Sequence, residues 1–117
     1  MSYIEQMNRL RLLAALPPIM DMVWSYFNQL GKTICPLEAL ENHVYKSHPK
    51  RISEAETHDL IALLLEEAPR WCEKKEIDGK AWFKVLSKNE DVFRAAKDVL
   101  EDVLEQERAK PLTSGDA

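Results

Sequence analysis

The residues of this chain that could carry out chemistry are few, and their spacing decides what that chemistry could be. Glu66 and Glu67 are adjacent carboxylates, the residue type of a general acid–base pair. They fall in a stretch patterned as helix, where neighbours diverge by about 100° around the axis, so the two do not converge on one site. His43 and His48 lack the i, i+4 spacing of a helical metal pair, and Cys35 and Cys72 have no companions at ligand spacing. His58 stands alone in the same helix as the glutamates and reads as a surface or core-edge histidine rather than a base. No glycine-rich phosphate loop occurs. The sequence therefore predicts no enzyme, no metal and no cofactor.

Charged and aromatic side chains remain, and their chemistry is binding. Lys74, Lys75, Lys80, Lys84 and Lys88 cluster in one region, interleaved with Glu73, Glu76 and Asp78. A second basic stretch is the loop around Lys50 and Arg51, and a third group is Arg9, Arg11 and Lys32. Of the three tryptophans, Trp71 and Trp82 are expected in the core. Trp24 is a surplus aromatic, because Val23 and Phe27 already fill the inward stripe of its helix. The net charge of −4 makes the whole chain a poor electrostatic match for a phosphate backbone. Two isolated cysteines in 117 residues suit reduced thiols in a cytosolic or nuclear protein. No apolar run approaches membrane-span length and no signal peptide opens the sequence.

The elements that must position these residues follow from periodicity and caps. Ser2 to Leu16 reads as a helix with Ile4, Met7, Leu10, Leu12, Leu13 and Leu16 on a broad apolar side. Pro17-Pro18 is expected to end it and to begin a second helix running to about Leu30 and capped by Gly31. The inward stripe of that second helix is Ile19, Val23, Phe27 and Leu30, with Met20 and Trp24 beside it. Thr33 to Cys35 is a short β-leaning connection, and Pro36 opens a third helix through Tyr45. Ser53 with Glu56 signals a capping box, after which Leu60, Ile61, Leu63, Leu64 and Leu65 load two faces of a fourth helix that Pro69 stops. Trp71 to Ile77 and Lys80 to Leu86 are strands joined by Asp78-Gly79, the signal of a type I′ turn. Asn89 caps a last helix through about Arg108, with a seam of Val92, Phe93, Ala96, Val99, Leu100, Val103 and Leu104.

The predicted fold is mostly α with a small β hairpin (α+β): a winged helix with an additional N-terminal helix and a long C-terminal helix. The expected division is an N-terminal helix over 1–16, a winged-helix core over 17–88, a packed C-terminal helix over 89–109 and a disordered tail over 110–117. A winged helix that reads DNA sets its capped helix in the major groove. Here that helix carries Glu54, Glu56, Asp59, Glu66 and Glu67 and no lysine or arginine, which opposes phosphate and leaves nothing for bidentate guanine contacts.

Four features together resemble a known family. Leu16-Pro17 precedes an amphipathic helix ending in Ser25-Tyr26-Phe27; Ile52-Ser53 with Glu56 opens the apolar helix; Glu66, Pro69 and Trp71 close it; and Trp82-Phe83-Lys84 occupies the last strand. This is similar to the C-terminal winged-helix domain of the eukaryotic DNA replication licensing factor, the geminin target that brings the MCM helicase to origins. The likeness spans about residues 9 to 86 and runs without a gap from Ser53 to Lys84. It implies a nuclear, non-catalytic adaptor, monomeric in isolation, that binds MCM subunits with weak or no direct DNA binding and no membrane.

From charge and surplus aromatics, the expected partner surface is Arg9, Arg11, Trp24 and Lys32. A second candidate is Lys50, Arg51, Lys74, Lys75 and Lys84. The rival reading is a winged-helix regulator that contacts duplex DNA through the basic wing, and a third is an architectural winged helix of another assembly.

Overall fold

The computed structural model describes residues 2–111, in the order α1 (Tyr3–Leu30), β1 (Ile34–Pro36), α2 (Leu37–Ser47), α3 (Glu54–Glu67), β2 (Cys72–Ile77), β3 (Lys80–Val85) and α4 (Glu90–Ala109). The described architecture is the mostly helical α+β arrangement expected: four helices and one small antiparallel sheet in the order β1-β3-β2. Residues 112–117, where most of the expected tail falls, lie outside the described residues.

One expected boundary is corrected. Helix α1 does not break at Pro17-Pro18; it runs through both prolines for 28 residues. Two consecutive prolines remove two N–H donors, so a break is the local expectation. The reason it fails is tertiary. Leu13, Leu16, Met20, Val23 and Phe27 follow one another at alternating steps of three and four, and each is at most 1% exposed. The buried stripe crosses the prolines in phase, and their fixed φ is itself compatible with helix. Leu30, expected inward, is exposed at the end of the helix, as is Ile4 in its first turn.

Capping also shifts. The reciprocal capping box is at Ser2 and Glu5, whose side chains and backbone amides bond each way. At α3, Ser53 Oγ accepts the Glu56 N–H at 3.0 Å as expected, but the Glu56 carboxylate is drawn away to Arg11. Asn89 Oδ1 accepts from the amides of Asp91 and Val92 and starts α4.

Helix α4 lies antiparallel along α1. Trp24 meets Phe93, Asp21 meets Lys97, Arg9 meets Glu107, and the Gln6 side chain donates to the Pro111 carbonyl. The terminal helices thus cover part of each other's apolar surface: Phe93, Leu100 and Leu104 of the expected α4 seam are buried, while Val92 and Val99 of that seam, and Ile4 and Met7 of α1, are exposed.

The hairpin turn is as the sequence predicts. Asp78 (φ 52°) and Gly79 (φ 76°) are both left-handed, which a type I′ turn requires and which matches the twist of the strands. A Cβ at Gly79 would touch nothing within 4 Å, so Gly79→Ala carries only the backbone penalty. We expect it to lower stability by about 1–2 kcal/mol in urea unfolding, and Gly79→Asn to lower it by less, because asparagine tolerates this region.

Candidate partner-binding surface

The two-residue turn fixes which lysines share a face. In antiparallel pairs, directly opposed residues project to the same side of the sheet. Phe83 and Val85 are buried on the core side, and Lys74 opposes Phe83 while Cys72 opposes Val85. On the other side Lys75 opposes Trp82, Lys80 opposes Ile77, and Lys84 lies between Glu73 and Ile34. Pro36 completes this outer face opposite Trp82. Lys74 and Lys75 therefore point to opposite sides of the sheet and do not form one patch.

Trp82 is the centre of the outer face. The sequence places it in the core; the structure places it half-buried among Lys75, Pro36 and Lys80, whose Nζ stands 5.5 Å from the ring centroid. Lys75 is within 3.4 Å of Glu73, and the Lys88 ammonium donates to the Lys32 carbonyl at 3.3 Å, which puts Lys32 and Lys88 beside the same sheet. Lys50 and Arg51 are exposed on the loop between α2 and α3, on a different element from the hairpin.

The other expected binding residues are engaged inside the molecule. Arg9 is half-buried and bridges α3 and α4 through Glu67 at 3.1 Å and Glu107 at 3.8 Å. Arg11 pairs with Glu56 at 2.7 Å and Asn8 at 2.9 Å, although its side chain stays more than half exposed. Trp24 is not a surplus aromatic. It stacks on Phe93 with ring centroids 4.6 Å apart and also meets Trp71, so it fastens α4 to α1. Its true partner was hidden from the periodicity of its own helix, because the covering ring arrives from α4.

The arginines of α1 leave α3 with a clear sign. Glu56 and Glu67 are paired internally, and Glu54, Asp59 and Glu66 face solvent. The exposed α3 surface is negative while the outer sheet face is positive. His58 Nδ1 lies 2.6 Å from Glu41 at the α2–α3 groove, and His43 stacks on Tyr26, where burial lowers its pKa. Among the described residues, no group of three or more metal-ligating side chains comes together.

Burial raises both thiols above their ordinary 9.0: Cys35 to about 11 and Cys72 to about 12. Both remain protonated near neutrality, so neither is a nucleophile. Because the folded pKa is raised, their contribution to stability is complete below pH 9. It falls as the pH climbs from about 9 towards 11–12, where only the unfolded thiols ionise. Native protein at pH 8 is expected to react with Ellman's reagent at least about tenfold more slowly than urea-unfolded protein, read from absorbance at both thiols.

Comparison with known proteins supplies what geometry alone does not. The family model for the DNA replication factor Cdt1 C-terminal domain matches residues 1–78. The chain belongs to that family. No curated protein matches it. The Cdt1 C-terminal domain match runs from α1 to the hairpin turn, and so contains α3 and β2 but neither β3 nor α4. Membership places the chain in DNA replication licensing, as the sequence resemblance implies. Among the described residues, no helix is long and apolar enough to cross a membrane.

Proposed function

We propose that this chain is a non-catalytic protein-interaction module that binds the MCM helicase, through the winged-helix regions of the hexamer, and helps to load it at replication origins in the nucleus. The observation that carries the proposal is membership of the Cdt1 C-terminal domain family, which ties the chain to licensing. The charge layout supports a protein partner over DNA. An exposed negative α3 repels phosphate where a DNA-reading winged helix needs attraction.

The contact surface we assign is the outer sheet face, with Lys75 and Lys84 around Trp82 and Lys32 beside them. Lys50, Arg51 and Lys74 stand outside it and contribute long-range charge, which raises association rate more than affinity. Arg11 is available at the edge of α1 by exchanging Glu56 for a partner carboxylate. Arg9 and Trp24 act by holding α4 in place.

The lysine face favours one second reading, contact with duplex DNA through the wing. Pull-down of purified MCM hexamer and its isolated winged-helix domains, with a duplex titration alongside, separates the two. MCM capture with little DNA affinity at physiological salt is expected. No capture, with tight DNA binding that falls steeply with salt, would overturn the helicase reading.

A further inference from the structure

Helix α4 carries two apolar stripes. Phe93, Leu100 and Leu104 are buried against the body of the fold. Val92, Ala95 and Val99 recur at i, i+3 and i+7 on a neighbouring side, and the two valines are 39% and 51% exposed. This second stripe forms one wall of a groove of about 470 Å³. The segment from Glu67 to Trp71, where α3 exits into β2, forms the opposite wall. Trp71 is fully buried there, and its indole N–H has no acceptor among the described residues. A buried donor without a partner is costly and rare in a finished core.

The rim has a sign. Asp91, Asp98 and Asp102 follow at i, i+7 and i+11 along the outer border of the valine stripe, and none makes an ion pair among the described residues. Among the described residues Arg70 is the one cation lining the groove, and Glu67 on the same wall is already paired with Arg9. An apolar channel bordered by a row of free carboxylates fits an amphipathic helix whose apolar ridge is flanked by lysine or arginine.

We propose that the groove between α4 and the α3 exit is a second docking site, and that it receives a basic amphipathic helix of a protein partner. Valine contacts supply the apolar anchor and the aspartate row selects the charge. The site is separate from the lysine face and of opposite sign, so it draws a different partner segment. It does not depend on the helicase reading, because it is argued from the apolar area and charge of a surface other than the lysine face.

The test uses a fluorescein-labelled helical peptide of leucine and lysine, with a leucine–glutamate peptide of the same pattern as control, titrated against the whole chain. The basic peptide is expected to bind, to shift the Trp71 indole N–H resonance, and to exceed the acidic peptide by about tenfold or more. Val92→Ser with Val99→Ser should weaken binding by about tenfold or more. Asp98→Asn with Asp102→Asn should bring the two peptides closer together. All four positions are exposed, so circular dichroism and the thermal midpoint should hold, and they confirm that each variant is folded. Equal binding of both peptides, binding indifferent to the valine pair, or no binding would overturn the proposal. So would concentration-dependent dimerisation abolished by Val99→Ser, which would give the groove to a second copy of the chain.

Discussion

Trp71→Ala is expected to destabilise the domain by about 3–5 kcal/mol, the range for deleting a large aromatic from a well-packed core. The side chain is fully buried and sits where three elements converge: its ring centroid is 6.4 Å from that of Trp24 and 5.6 Å from that of Phe93. Removing it takes away the surface on which α1 and α4 are pressed together. Against a typical total of about 5–15 kcal/mol, a loss of that size leaves a fold unstable or barely stable at 37 °C. Trp71→Phe separates packing from polarity. It keeps most of the ring contact and removes the unsatisfied indole N–H, so it should cost well under half as much. Urea unfolding of both variants, followed by far-ultraviolet circular dichroism, measures the difference. Equal losses would mean that the indole N–H is satisfied in solution or that the phenyl ring cannot fill the site.

Neutralising the outer sheet face is expected to reduce MCM capture by about tenfold or more, with the fold left within about 0.5 kcal/mol of its original stability. The variant is Lys75→Gln, Lys80→Gln and Lys84→Gln together. Glutamine is chosen over glutamate because Lys84 lies directly opposite Glu73, and a second carboxylate there would add a like-charge pair to the sheet. The three positions share one side of the hairpin, so their charges act on one partner surface. Lys74→Gln on the opposite side is the internal control and should change capture little. A triple variant that captures MCM as well as the parent would move the contact to α1 and the α2–α3 loop.

The face that carries this prediction is legible in the sequence. Once Asp78-Gly79 is a two-residue turn, Ile77 must oppose Lys80, and parity then assigns Lys75, Trp82 and Lys84 to one side. Phe83 and Val85 identify the other side as core. What periodicity could not supply was anything carried by an element remote in sequence. Trp24 looks unaccompanied within its own helix because its covering ring is Phe93, and Arg9 looks free because Glu67 and Glu107 belong to α3 and α4. At Pro17-Pro18 the local expectation of a helix break is overridden by a buried stripe that continues in phase on both sides. The capped α3, the hairpin and the Asn89 cap, by contrast, rest on signals within a few residues of one another. They appear in the structure close to where the sequence places them.

The antiparallel clasp of α1 and α4 bears on how the chain reaches this state. The Gln6–Pro111 contact spans 105 residues, and the Trp24–Phe93 stack closes most of the same loop. Such distant contacts are slow to find, because the entropy of closing a long loop is lost before any burial rewards it. During synthesis α1, the first element described, must wait with part of its apolar side uncovered until the last helix has been made. Folding should therefore be rate-limited by docking of α4, and truncating Phe93 should slow that step while leaving the earlier formation of the preceding helices and hairpin almost unchanged.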